Sequence, residues 1–149
     1  DLPYKGFSSY YQYLLDLYTQ KRSLLASALE QAGFAIPNVE RTPGGGFFLM
    51  ARISPTMADQ IPANRINIPN LAAPGGIARQ DWAFCEWLLE TKGILCIPSS
   101  PFFSHSDKAQ PQDSTTTPLS DQFVRIAFCK TDETIQAAAK ALDPKRTDI

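Results

Sequence analysis

The heptapeptide FVRIAFC, Phe123 to Cys129, sets one arginine inside an otherwise apolar run. Val124, Ile126 and Phe128 fall on one face at the strand period of two, so they belong to a core. Arg125 then points to the opposite face, between Phe123 and Ala127. An unpaired charge taken out of water costs several kcal/mol. Two readings are open. An internal carboxylate pairs with the guanidinium, or the residue snorkels at an edge, as charged strand residues usually do. Alternatively it faces a cleft, where its planar fork can grip an anionic ligand through two parallel hydrogen bonds.

Upstream of this strand, Ile94 to Ile97 reads as a short buried strand stopped by Pro98. Before it, Gln80 to Thr91 reads as a helix with Phe84, Trp87, Leu88 and Thr91 on one face. Asp81 sits in its first turn, and Gly93 can end it. Downstream, a helix is expected from Asp132 to Leu142, capped by Thr131, with Ile135, Ala138, Ala139 and Leu142 as its apolar stripe. Further back, Phe47 to Ile53 reads as a strand that is apolar on both faces, which fits a sheet covered on both sides. Pro43 to Gly46 forms the turn into it. These glycines precede a strand, so no helix N-terminus is there to hold a phosphate.

A long helix from Ser9 to Ala32 opens the chain, carrying Tyr11, Leu14, Leu15, Tyr18, Leu25, Leu29 and Ala32 at helical spacing. Ser8 or Ser9 can cap it, and Gly33 can close it in the left-handed conformation. Lys21 and Arg22 are expected on its solvated side. Two stretches lack a period, 54–79 and 99–122, and both are expected to be flexible loops. The order helix, strand, helix, strand, strand, helix gives an α+β class, with helices packed on a small mixed sheet of three to four strands.

The totals narrow the function. The 149 residues fit a single domain. Net charge is −1 with no basic block, which argues against nucleic acid and an anionic membrane surface. No apolar run approaches the length of a membrane span. Cys85, Cys96 and Cys129 are expected to be buried free thiols of a reducing compartment. With His105 as the one histidine, no metal cluster is expected. The chain opens on Asp1, as expected of a fragment, a processed product or a chain with a further upstream segment, and any targeting peptide would have gone with that part.

Four motifs occur in a telling order. KR-x-x-L-x-x-x-L-x-x-x-G (Lys21 to Gly33) is followed by PGGGFF (Pro43 to Phe48). WLL-x-x-KGILCIP-x-S-x-F (Trp87 to Phe102) comes next, then FVRIAFCK-x-DET (Phe123 to Thr134). Together, over roughly residues 10 to 142, they resemble the C-terminal small domain of fold-type I, pyridoxal-phosphate-dependent aminotransferases, nearest to the kynurenine/glutamine transaminase branch.

The resemblance implies that Arg125 binds the α-carboxylate of an amino-acid or 2-oxo-acid substrate. It implies that Phe47, Phe48, Phe102 and Phe103 line the substrate side of a cleft. The Schiff-base lysine and the phosphate anchors of such enzymes belong to a large domain, so no catalytic or cofactor-binding residue is expected in this chain. Pyridoxal 5'-phosphate would be held by that large domain of the same polypeptide. A homodimeric parent, in the cytoplasm or the mitochondrion, is also implied. Two other classes stay open: a stand-alone module using Arg125 for an acidic effector, and a structural or interaction domain in which Arg125 pairs internally.

Overall fold

The computed structural model describes residues 2–37, 46–104 and 116–143. Pro43 to Gly45 and His105 lie outside these residues. Helix α1 (Tyr10–Gln31) starts where the extended Ser9 accepts the Gln12 N–H at 3.1 Å through its hydroxyl. It stops at Gly33, whose φ of +100° lets Phe34 N–H reach back to Leu29 O at 3.0 Å. Its 22 residues span roughly 33 Å. Only the second half is fully buried, through Leu25, Ala26, Ala28 and Leu29. Tyr11 and Leu15, expected in the core stripe, are exposed instead. The apolar period is real, but the first half of the helix reaches past the core. Lys21 is not on a solvated face either. Its ammonium donates to Lys130 O at 2.7 Å and to Asp132 at 2.6 Å, tying α1 to the last helix.

Three strands follow: β1 (Phe48–Arg52), β2 (Ile97–Pro98) and β3 (Phe123–Ala127). Their order is β1-β3-β2, and both pairings are antiparallel. β1 and β2 therefore run the same way on either side of β3. The stretch joining them carries short helices α2 (Pro55–Ala58) and α3 (Ala63–Ile66), then helix α4 (Gln80–Lys92). Buried Ile53, Met57, Ile61 and Ala73 anchor segment 54–79 to the core. Gly93, at φ +67°, ends α4 as expected. Thr91, expected on the apolar face of α4, is at the surface and donates back to Trp87 O. Helix α5 (Asp132–Leu142) is capped by Thr131, whose hydroxyl accepts Thr134 N–H at 3.2 Å.

The core lies on one side of the sheet. Leu49, Ala51, Val124, Ile126 and Phe128 pack there with Leu25, Leu29, Phe34, Phe84, Leu88 and Ile135. Phe34 and Phe84 meet edge to face at 5.7 Å. The other side of the sheet is not covered by the described residues, contrary to expectation. It presents Phe48, Met50 and Ile97, each more than a third exposed. Cys129, just past β3, is exposed, whereas Cys85 and Cys96 are buried as free thiols.

Candidate functional site

Arg125 occupies the middle of the central strand on the open face. Met50 of β1 stands opposite it on one side and Ile97 of β2 on the other. The rings of Phe48 and Phe102 each lie 4.3 Å from the guanidinium carbon. Phe48 comes from the strand on one flank, and Phe102 from the turn that follows the strand on the other. Such contacts stabilise a cation by about 0.5–1 kcal/mol each when exposed, and more when desolvated. Both rings come this close, and no side chain of the described residues takes up the planar fork, the part of the group that can grip a carboxylate.

No acid of the described residues bonds to Arg125. Its Nε is buried and has no hydrogen-bond partner among them. A buried donor left unmade costs about 1–3 kcal/mol. The structural reading of Arg125 required a neighbouring Asp or Glu, and no acid among the described residues pairs with it. A cavity of about 560 Å³ opens alongside, within the range of small-molecule sites. Its walls are mainly apolar, with Ile94, Ile97, Ile126 and Ala138 among them. Arg125, Lys92 and Lys130 are its charged residues, all cationic.

Of the four phenylalanines expected to line a cleft, two, Phe48 and Phe102, lie against the guanidinium. Phe47 points the other way, as the strand period demands, and meets Tyr18 edge to face at 5.1 Å. Phe103 makes no ring contact with the guanidinium among the described residues.

The sequence gives no hint of what holds the Phe102 turn. Ser99 and Ser100 are fully buried, whereas Phe102 is 60% exposed. Ser99 donates its hydroxyl to Ser120 O. Ser100 N–H donates to the Asp81 carboxylate at 2.7 Å, and its hydroxyl accepts the Trp82 indole N–H at 3.1 Å. Beside them, Arg79 donates to Asp121 at 2.7 Å with both side chains buried. Ser120 adds its hydroxyl to the same Asp121 oxygen at 2.6 Å. Burial pushes the Asp81 carboxyl up to about 6; the Ser100 N–H opposes that rise, and the nearby Asp121 charge adds to it. A cue exists only in hindsight. Asp81 follows Arg79 by two at a helix start, and Asp121 immediately precedes the β3 segment.

No family model matches the chain. It is 28% identical over 133 residues to the kynurenine–oxoglutarate transaminase of Dictyostelium discoideum, covering 89% of this chain and 27% of that protein. It is 29% identical over 136 residues to kynurenine–oxoglutarate transaminase 1 of Mus musculus, covering 91% and 27%. Its homologues are aminotransferases. The methionine aminotransferase of Escherichia coli is 26% identical over 133 residues, covering 89% of this chain and 25% of that protein. Among solved structures, the fold is similar to N-succinyldiaminopimelate aminotransferase from Mycobacterium tuberculosis. There the TM-score is 0.55 at 25% identity, over 89% of this chain and 25% of that one. This aminotransferase-like chain spans about a quarter of the length of the curated relatives it matches.

Proposed function

We propose that this chain is the substrate-carboxylate-binding part of a pyridoxal-phosphate-dependent aminotransferase of the kynurenine/glutamine type. In that role it is the C-terminal small domain, with the end of an interdomain helix, of an enzyme that moves an amino group between an amino acid and a 2-oxo acid. The carrying observation is Arg125: a guanidinium held between two rings, its Nε without a partner, beside an apolar cavity whose charges are positive. Such a site complements a ligand with a carboxylate at one end and an apolar side chain.

Pyridoxal phosphate, bound by the rest of the enzyme, supplies the electron sink for transamination. The described part of this chain is a poor fit for it. No carboxylate lines the cavity to partner a pyridine nitrogen. Lys92 and Lys130 line it from the end of α4 and from just past β3, whereas Lys21 is committed to Asp132, and Lys5 stands in the open over Tyr4 and Tyr13. This chain therefore binds and orients the substrate acid, and no step of the bond chemistry is assigned to it.

The exposed first half of α1 supports a longer enzyme. Tyr10, Tyr11 and Leu15 stay open there, and Leu24 with them further along. An apolar surface of this kind suits a large domain or the second subunit of a homodimer. Tyr13 and Leu17, on the same helix, are half-buried. Three unbridged thiols suit a reducing compartment such as the cytoplasm.

The test is kinetic. In the full-length enzyme, Arg125→Ala should lower kcat/KM for amino-acid and 2-oxo-acid substrates alike by roughly two to three-and-a-half decades. That corresponds to losing one partner of a desolvated ion pair, about 3–5 kcal/mol. Arg125→Lys should also be poor, because an ammonium cannot reproduce the fork. Cofactor absorbance should survive both changes. A kcat/KM within a few-fold of wild type, with a sharply lower Tm, would make the arginine structural.

A further inference from the structure

Phe102 forms half of the aromatic enclosure around Arg125, yet it sits on a short turn rather than on a strand. An exposed ring on a turn has no intrinsic reason to stay over a guanidinium. What fixes it must act on the turn's backbone. That backbone is gripped from the inside, at Ser99 and Ser100. Phe102 N–H closes the turn on Ser99 O at 2.9 Å, so the ring follows wherever these serines are held.

We propose that Asp81 is a positioning residue for the Arg125 site: its carboxylate oxygen holds Ser100 N–H and thereby keeps Phe102 on the guanidinium. Asp81 is fully buried in the first turn of α4. A buried carboxylate is an expensive side chain there, since an apolar or hydroxyl residue would fill the space without the desolvation cost. Outside its own helix it accepts the Ser100 N–H of this turn at 2.7 Å, and its second oxygen, Oδ1, is left without a partner among the described residues. Trp82, the next residue of the helix, reaches the same serine. Helix α4 thus addresses the turn through two adjacent side chains, while the Arg79–Asp121 pair fixes Ser120, which receives Ser99. The turn is rigid at its buried heel so that its exposed toe can carry a ring.

This proposal rests on the role given to Arg125 above, but it can be tested without any ligand. The 149-residue chain is labelled with ¹⁵N and ¹³C, and the Arg125 δ-methylene and Nε–Hε resonances are read at pH 7.5. In wild type the two rings shift the δ-methylene protons upfield. Phe102→Ala, a reference variant, removes the Phe102 share of that shift. Asp81→Ala should remove most of that same share and leave the Phe48 share. Asp81→Asn, which keeps an acceptor oxygen, should restore it. An Arg125 shift in Asp81→Ala equal to wild type overturns the proposal. So does an Asp81→Asn spectrum matching Asp81→Ala.

If Asp81→Ala does not fold, Asp81→Ser, whose hydroxyl is one atom too short for the Ser100 N–H, carries the same comparison. Unfolding of both, with Asp81→Asn intact, would also overturn it, since Asp81 would then hold the domain rather than the turn. Failure here leaves the carboxylate role of Arg125 untouched, because no ligand enters the measurement.

Discussion

Two arginines divide this molecule into a finished region and an unfinished one. Arg79, at the start of α4, is 6% exposed and fully answered. It donates to Asp121 at 2.7 Å and to Pro74 O at 2.9 Å, and Ser120 completes the acid. Arg125, on the open face of the sheet, has rings where Arg79 has an acid. Its Nε is answered by nothing among the described residues. A guanidinium can be withdrawn from water in either of two ways. The protein brings its own carboxylate, and the residue becomes a strut. Or the protein packs rings against the group and supplies no acid, and the residue becomes a receptor. Opposite consequences for stability follow.

The largest effect should come from the finished region. Asp121→Ala strands a buried guanidinium and should cost about 3–5 kcal/mol, seen as a lower urea midpoint with unchanged slope. Arg125→Ala in the same chain removes only ring contacts and should cost no more than about 1–2 kcal/mol. Equal losses would erase the distinction between the two arginines.

Asp81 sharpens the contrast through pH. Its folded value of about 6 lies above the ordinary 3.8, so the native state binds this proton more tightly than the unfolded chain. Its contribution to stability is therefore full below about pH 4 and is lost as pH rises towards 6. The fall is about 3 kcal/mol. Between pH 4.5 and 7 about 2 kcal/mol of this should go, read as a drop in the wild-type urea midpoint, and Asp81→Asn should remove this part of the difference. A stability that rises through that window on account of Asp81 would contradict its burial.

The smallest effect belongs to Lys21, a third cation that is neither strut nor receptor. Its partner Asp132 is 63% exposed. Lys21→Ala should cost about 1 kcal/mol or less, and the loss should shrink in high salt. A larger loss would mean that the Lys130 carbonyl contact, rather than the ion pair, fastens α1 to α5.

The sequence showed the strands and helices because their periods are local. Val124, Ile126 and Phe128 alternate, and Ile135, Ala138 and Leu142 recur as a helix must. Arg125 was legible for the same reason: a charge that breaks an apolar strand is conspicuous. Phe48 and Phe102 beside it came from resemblance, not from spacing, because they meet only through the β1-β3-β2 order. That order is a long-range fact. It also decides that Phe47, one residue away, faces Tyr18.

Asp81 looked like an ordinary acid in a helix's first turn, since nothing in its neighbours announces that Ser100, 19 residues on, will cover it. The open face of the sheet is not legible as open, because Phe48 and Met50 are apolar. Apolar residues mark a surface to be covered without saying whether this chain or another part of a longer protein covers it.

The central claim is that Arg125 awaits a carboxylate and Arg79 does not. Both can be watched in one spectrum of the ¹⁵N-labelled chain, through their Nε–Hε signals, while pyruvate is titrated as the simplest 2-oxo acid. The Arg125 signal should move along a saturable curve that chloride at equal ionic strength does not reproduce, and the Arg79 signal should stay in place. An Arg125 signal that stays put, or that moves no more specifically than Arg79, would contradict the account.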